Sequence, residues 1–283
     1  MKLDEILPTQ LYISKSKYEH NLKILEKSNF KKYQPLPVKK IGEEIFFTDG
    51  HTRAFILWQQ EITEINVYDD PDRLDWIMYL LNLKWCRDSN IISIGDLNDR
   101  IIEEREYQRE WLDLCSSYQQ KISQDPLADL VVEMEKSSKI KAQICEQILR
   151  SLPQWFGIEK AILHYIEDVK TLPFFKISIY SKTIGFCAIK VNYGVNADLY
   201  VLGIFKEFHG KGIGKRLIGT INEYCKQLNI PYMSVKTLSE KHPDKNYWKT
   251  RKFYEKCGFK PFEEFTDLWG EHSPCLYMIR EVK

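Results

Sequence analysis

The sequence predicts an α/β protein in three stretches: a small α+β domain over residues 1–70, a helical connector over residues 71–140, and a mixed α/β domain over residues 141–283. Two observations predict this division. Short strand-like runs alternate with helix-like runs in the first and last stretches, whereas the middle stretch repeats apolar residues at helical spacing. The break at Asp125-Pro126 starts a predicted linker that runs to Ser138.

Composition limits the classes of function. The 283 residues are 43% hydrophobic and 29% charged with a net charge of +1, which fits a globular protein without a strong attraction to nucleic acid or membranes. The first ten residues, MKLDEILPTQ, contain acidic residues where a signal peptide needs an apolar core. No run of about 18 apolar residues occurs either, so we expect a cytoplasmic protein. The seven cysteines are dispersed without a CxxC pair. We therefore expect no metal site, and thiols that serve mainly as core residues.

The last stretch alternates strands and helices. Residues 184–191 are apolar at odd and even positions alike, which predicts a central strand covered on both faces. The predicted elements are, in order, a helix over 141–152, strands over 174–180, 184–191 and 198–205, a helix over 213–228, a strand over 232–237, a helix over 247–257 and a strand over 275–281.

A glycine-rich turn separates the strand at 198–205 from the helix that follows. Glycines let backbone N–H groups approach a diphosphate closely, and the start of a helix adds free donors and partial positive charge. The spacing fits neither a Walker loop nor a Rossmann fingerprint. The turn is thus predicted to bind a phosphorylated cofactor, the alternative being a turn without a ligand. Its residues are His209, Gly210, Lys211, Gly212, Ile213, Gly214 and Lys215.

These residues carry a family resemblance. The stretch ADLYVLGIFKEFHGKGIGKRLI resembles the acetyl-CoA motif of GNAT acetyltransferases, Gln/Arg-x-x-Gly-x-Gly/Ala, with His209 in the Gln/Arg position and with Gly212 and Gly214 at the two required glycines. The stretch NYWKTRKFYEKCGF is similar to a later motif of the same family, in which a tyrosine, here Tyr254, precedes Gly-Phe. The resemblance covers about half of the chain.

The resemblance implies a splayed sheet in which the pantetheine arm of acetyl-CoA lies between two parallel strands. It implies backbone contacts from Gly203, Ile204 and Phe205, with an N–H near Ile204 polarising the thioester carbonyl. It also implies that Tyr254 is the general acid for the leaving thiolate and that a small-molecule or peptide amine is the acceptor. Candidate bases, each expected to be a surface charge, are Asp198, Glu207, His242 and Asp244.

The first stretch contains a strand, a turn and a helix. The segment LPVKKIGEEIFFTDGHTRAFILWQQEITEINVY resembles the ParB/sulfiredoxin-like superfamily, which implies a nucleotide-phosphate site at the turn formed by Asp49, Gly50, His51, Thr52 and Arg53. The alternative is that Asp49 and Arg53 form a structural ion pair. Sulfiredoxin activity is not expected, because no cysteine precedes Cys86. The turn looks most like free serine kinases, although Gln10 lies where their early catalytic glutamate is expected.

Two functions therefore remain open. The first is an N-acetyltransferase that uses acetyl-CoA, with Tyr254 as the acid. The second is a nucleotide-binding or free-serine-kinase-like activity, or sensing, in the first domain, with the GNAT-like domain as an acyl-CoA-binding module. The intact glycine turn favours the first, and the missing early glutamate weakens the second. The near-zero net charge makes nucleic acid an unlikely partner. Neither the acceptor nor the oligomeric state is indicated by the sequence.

Overall fold

The computed structural model describes residues 1–270 and 273–283 and divides the chain into two compact units, Met1–Asp129 and Leu130–Lys283. Within the described residues, no helix combines the length and apolar character needed to span a membrane.

The first unit is built on a four-stranded sheet in the order β1-β4-β3-β5. The strands are β1 (Ile6–Leu7), β3 (Leu36–Ile41), β4 (Glu44–Phe47) and β5 (Val67–Asp69); β2 (Ile13–Ser14) and β6 (Ile101–Ile102) form a separate parallel pair. The helices are α1 (Lys15–Glu26), α2 (His51–Gln59), α3 (Trp76–Asp88), α4 (Glu104–Tyr107) and α5 (Asp113–Gln124). Leu36, Phe47 and Phe55 lie in its core and are fully buried. The predicted strand, turn and helix are thus present as β4, the Asp49-Gly50 turn and α2.

The second unit is a seven-stranded sheet in the order β12-β13-β11-β10-β9-β8-β7. The strands are β7 (Leu130–Met134), β8 (Phe174–Ile179), β9 (Lys182–Asn192), β10 (Asn196–Ile204), β11 (Tyr232–Leu238), β12 (Lys260–Phe265) and β13 (Cys275–Glu281). The helices are α6 (Ser138–Arg150), α7 (Glu159–Asp168), α8 (Ile213–Gln227) and α9 (Lys245–Lys256). Every strand and helix predicted for residues 141–283 is present within a few residues of its expected bounds.

Helices cover both faces of the central strands. A Cβ added to Gly203 on β10 would lie 2.8 Å from the side chain of Ile148 on α6. A Cβ added to Gly214 on α8 would lie 3.5 Å from the side chain of Ile204, the residue after Gly203 on β10. Because successive strand residues point to opposite faces, α6 and α8 lie on opposite sides of the sheet. Residues 184–189 of β9 are all buried, which confirms the predicted doubly covered strand.

The predicted linker from Asp125 to Ser138 contains the boundary between the two units, at Asp129 and Leu130, but its second half is wrong. Residues 130–134 form β7, an edge strand that pairs antiparallel with β8. Of its residues, Leu130 is buried, while Val131 and Met134 are exposed. An edge strand with one buried side chain gives almost no alternating apolar pattern, so it resembles a linker in the sequence. The helical connector predicted over residues 71–140 is largely helical only as far as Gln124.

A buried histidine gives the first unit a dependence on pH. His51 is 5% exposed, and its Nε2 accepts a hydrogen bond from the backbone N–H of Thr9 at 2.9 Å. Burial lowers its pKa to about 4, although nearby Asp49 acts in the opposite direction. An unfolded histidine has a pKa of about 6.5. The unfolded state therefore binds more protons between these values, and the free energy of unfolding falls as the pH drops from 6.5 toward 4.

Neutral His51 should contribute about 3 kcal/mol to the free energy of unfolding, a contribution present in full above the unfolded pKa and lost below the folded one. Urea denaturation at neutral pH and near the folded pKa measures it, and His51→Gln should flatten this dependence. NMR titration of the ring provides the direct check. A His51 ring that titrates near the unfolded value of about 6.5 would contradict the prediction.

Candidate active site

The two parallel strands at the centre of the second unit separate partway along their length. β10 and β11 are paired at three positions only, and the last of these joins Asp198 to Ser234. Beyond that point β10 continues against β9 as far as Ile204, and β11 continues against β13 as far as Leu238. We call the point of separation the fork and the space beyond it the gap. The sheet is therefore splayed, as the family resemblance predicted.

The backbone of β10 presents alternate residues to the gap. The Phe205 N–H donates to the Ile184 carbonyl at 2.9 Å, so Phe205 directs its N–H toward β9. Residues alternate along an antiparallel pair, so Gly203 also faces β9, and the backbone groups of Ile204 face the gap. Of the three predicted backbone contacts, the structure thus places Ile204 at the gap. Gly203 leaves no room for a side chain, since an added Cβ would meet Ile148 at 2.8 Å.

The glycine-rich turn leads from β10 into α8. Gly210 and Gly212 have φ angles of 76° and 83°, a region in which a side chain is strained. Gly212 caps the helix, and its carbonyl accepts the first intrahelical bond, from the Arg216 N–H at 3.1 Å. The N–H groups of the preceding first-turn residues, Ile213 to Lys215, therefore have no partner within the helix. Lys211 and Lys215 are exposed beside them, so the turn combines open donors with positive charge.

Two residues of the turn also have packing roles. His209 donates from Nε2 to the Ile204 carbonyl at 2.7 Å, and its ring packs edge-on against Trp155. The histidine thus ties the turn to the strand that borders the gap. Gly214 is buried, and an added Cβ would lie 2.8 Å from Phe253 on α9, so this glycine lets α8 and α9 pack closely. Neither contact prevents a ligand from lying on the N–H groups of the turn.

Tyr254 lies on α9 and is 7% exposed. Its ring contacts those of Phe253 and Phe259, with centroids 5.1 and 5.7 Å away. Burial raises the pKa of its phenol far above the usual range, so the hydroxyl stays protonated at neutral pH. Arg251, one turn earlier, is buried and donates to the carbonyls of Leu238 and Ser239 at the end of β11, at 2.8 and 3.0 Å. These bonds hold α9 against the strand that borders the gap.

Asp198 differs from the other candidate bases. It was expected to be a surface charge, but it is 5% exposed at the fork, so this expectation is wrong. Its carboxylate accepts from Lys236 Nζ at 2.5 Å and from Ser234 Oγ at 3.1 Å. Asp244 instead caps α9 by accepting from the Asn246 and Tyr247 N–H groups. The sequence did not indicate that Asp198 is paired, because its partner Lys236 lies on another strand.

The turn in the first unit is partly occupied by its own side chains. Gly50 has a φ of 79° and precedes α2, so the first N–H groups of this helix are open. Arg53 Nη2 lies 3.6 Å from Asp49 Oδ2, which is the ion pair foreseen as the structural alternative. His51 points inward and accepts from Thr9 through Nε2, so this ring nitrogen is not available to a ligand. Thr52 is half-buried.

Residues 173–261 match a family model described as an acetyltransferase (GNAT) domain. Curated proteins give no match to the chain. Among the solved structures that resemble the chain, the following three match a little more than half of its length. A GNAT-family protein from Desulfovibrio desulfuricans is 13% identical, with a TM-score of 0.48, and the match covers 54% of this chain and 99% of that one. Ard1 from Thermoplasma volcanium is 15% identical, with a TM-score of 0.45, and the match covers 55% of this chain and 99% of that one. The aminoglycoside 6'-N-acetyltransferase from Enterococcus faecium is 15% identical, with a TM-score of 0.43, and the match covers 54% of this chain and 97% of that one.

Proposed function

We propose that the second unit, which carries an acetyltransferase (GNAT) domain, transfers the acetyl group of acetyl-CoA to a primary amine. One observation carries this proposal. A short turn, residues 205–212, connects the strand that borders the gap to the start of α8, where backbone N–H groups are open. The gap suits an extended chain with amide groups, and the helix start suits a diphosphate. Acetyl-CoA combines both features in one molecule.

Binding would use the backbone more than side chains. The N–H groups of residues 213–215 would donate to the diphosphate, with Lys211 and Lys215 adding charge. The pantetheine arm would lie in the gap as an additional strand beside β10. The N–H groups of β10 that face this gap, Ile204 among them, would donate to the arm, and one nearer the fork would donate to the thioester carbonyl, where negative charge develops during attack.

The chemistry then needs one acid. The neutral amine attacks the carbonyl carbon, a C–N bond forms, and the C–S bond breaks. Tyr254 gives its phenolic proton to the leaving sulfur, and the proton that the amine loses passes to solvent, which also reprotonates Tyr254. The phenol meets the first requirement of this role, because burial raises its pKa and the proton is present at neutral pH when the thiolate forms.

Thiol release tests this proposal. The full chain, acetyl-CoA and a panel of primary amines should release free CoA in an amine-dependent manner, and mass spectrometry should show the acetylated amine. Acetyl-CoA at a hundredfold excess over Kd should also add about 2.7 kcal/mol to the stability of the folded protein. A melting curve unchanged by acetyl-CoA, together with no thiol release from any amine, would refute the proposal.

A second candidate function concerns the first unit, where the geometry of Gly50 favours a phosphorylated ligand. Its left-handed conformation leaves the first N–H groups of α2 pointing away from the helix. Arg53 lies beside them with a side chain that is 22% exposed, and its partner Asp49 is 81% exposed and can move aside. We expect binding rather than turnover, because Gln10 supplies no acid and its amide donates to the Tyr12 carbonyl at 2.9 Å.

Calorimetry of the full chain with ATP, ADP, CTP and inorganic phosphate measures this binding. If ATP binds at the turn, Arg53→Ala should weaken it by about 1.5–3 kcal/mol, the usual contribution of a hydrogen bond to a charged group. Arg73→Ala, which removes an exposed arginine of the same unit, is the matched control. No heat from any ligand would leave the turn as a structural cap, whereas phosphoserine formed from ATP and free serine would show kinase activity instead.

A further inference from the structure

One face of the sheet carries a continuous row of polar and aromatic side chains that begins at the fork. Ser234 and Lys236 share a face of β11 because they are two residues apart. Tyr277 lies directly opposite Lys236 on β13 and therefore shares that face. Asp198 joins it from β10 through its bond to Lys236. We call Asp198, Lys236 and Tyr277, with Phe262 and Phe265 of β12, the acceptor strip.

The end of the strip at the fork is ionic. Asp198 is buried, whereas the Lys236 side chain is 35% exposed. A lysine ammonium has three N–H donors, and within residues 1–270 and 273–283 its hydrogen-bond acceptor is Asp198. Two donors of Lys236 therefore remain for an anionic group of a ligand. The carboxylate of Asp198 in turn favours a positive group close by, so this end suits a ligand with both charges.

The other end of the strip is aromatic. The Lys236 ammonium lies 5.1 Å from the centroid of the Tyr277 ring. The ring of Tyr277 also contacts Phe262 and Phe265, at centroid distances of 6.2 and 6.4 Å. Phe262 is 65% exposed although it belongs to a strand, and Phe265 is 36% exposed. Exposed aromatic rings grouped beside a polar cluster are typical of a binding surface.

We propose that the acceptor is an α-amino acid with an aromatic side chain. Its carboxylate binds the free donors of Lys236, its ring packs on Tyr277 and Phe262, and its α-amine lies at the fork, where the ammonium is attracted by Asp198 before it loses a proton. The separation between Asp198 on β10 and Tyr277 on β13 suits the span from the α-amine to the ring of such a ligand, because the two strands lie two strand spacings apart, about 10 Å. The proposal rests on the proposed acetyl transfer and adds the class of acceptor.

Three acceptors separate the features of the ligand: phenylalanine, phenethylamine, which lacks the carboxylate, and leucine, which lacks the ring. In the full chain, kcat/KM for phenylalanine should exceed that for each of the others by about tenfold or more, a usual difference for one lost polar or packing contact. Lys236→Met should reduce the ratio of phenylalanine to phenethylamine toward one, and Lys236→Arg should retain part of it. Phe262→Ala should reduce the ratio of phenylalanine to leucine.

Tyr68→Ala, which removes an exposed aromatic of the first unit, should change neither ratio. Because each result is a ratio measured on one protein sample, a partly unfolded variant does not mimic it. Equal kcat/KM values for the three acceptors, or ratios unchanged by Lys236→Met and Phe262→Ala, would overturn the proposed acceptor class while leaving acetyl transfer intact. Release of no thiol with any amine, without stabilisation by acetyl-CoA, would instead refute the transfer itself.

Discussion

Tyr254→Phe is expected to lower kcat by about 10- to 10³-fold while leaving the Kd for acetyl-CoA nearly unchanged. The substitution removes only the phenolic oxygen. The ring contacts with Phe253 and Phe259, which hold this part of α9, are retained. A large fall in kcat without loss of binding is the signature of a group that acts in the transition state. Steady-state kinetics with saturating acetyl-CoA, combined with calorimetry of acetyl-CoA binding, measures both quantities.

Tyr247→Phe is the matched control on the same helix. The Tyr247 hydroxyl donates to the Trp155 carbonyl at 2.9 Å, so its loss should lower stability and not the chemical rate. An unchanged kcat for Tyr254→Phe, with no pre-steady-state burst of thiol, would assign Tyr254 a packing role. A burst would show that product release limits turnover, and the burst rate would then be the quantity to compare.

Gly212→Asp is expected to abolish the stabilisation of the protein by acetyl-CoA. The residue caps α8 with a φ of 83°, and the N–H groups that follow it are the proposed diphosphate donors. An aspartate adds negative charge beside them and also strains the backbone at this φ. Thermal melts with and without acetyl-CoA measure the loss, which is the full stabilisation of about 2.7 kcal/mol at a hundredfold excess over Kd.

Two controls separate charge from strain. Gly212→Ala carries the same backbone strain without the charge, so it should retain part of the stabilisation. Gly219→Asp adds the same charge on α8 at an exposed position where an added Cβ meets no atom within 4 Å, and it should retain all of it. Full stabilisation of Gly212→Asp by acetyl-CoA would show that the diphosphate does not bind at this turn.

The sequence allowed prediction of those parts of the second unit that local patterns determine. Strands β9 and β10 are apolar on both faces, and α8 carries an apolar stripe, so periodicity identified them within a few residues. The glycine turn was identifiable because its spacing between strand and helix is itself a local feature. The family match at residues 173–261 agrees with the resemblance that these motifs gave.

The missed elements of the second unit are its two edge strands and the helix α7 (Glu159–Asp168). β7 and β12 are the two edge strands, and β12 has no buried residue, so neither shows an alternating pattern. The partners at the site were missed for a different reason. Lys236 reaches Asp198 from another strand, and Arg251 reaches the end of β11 from α9. Such contacts depend on which strands become neighbours, which no local pattern encodes.

The short pairing at the fork also affects how the sheet moves. Only three residue pairs join β10 to β11, so the strands form two ribbons, β7–β10 and β11–β13, that meet along a narrow seam. Each ribbon is stiffened by long antiparallel ladders, which concentrates slow opening motions at the seam. A molecule threaded into the gap would bridge the ribbons along their length. Hydrogen exchange should therefore slow most at the amides bordering the gap, far more than at the outer ladders of either ribbon.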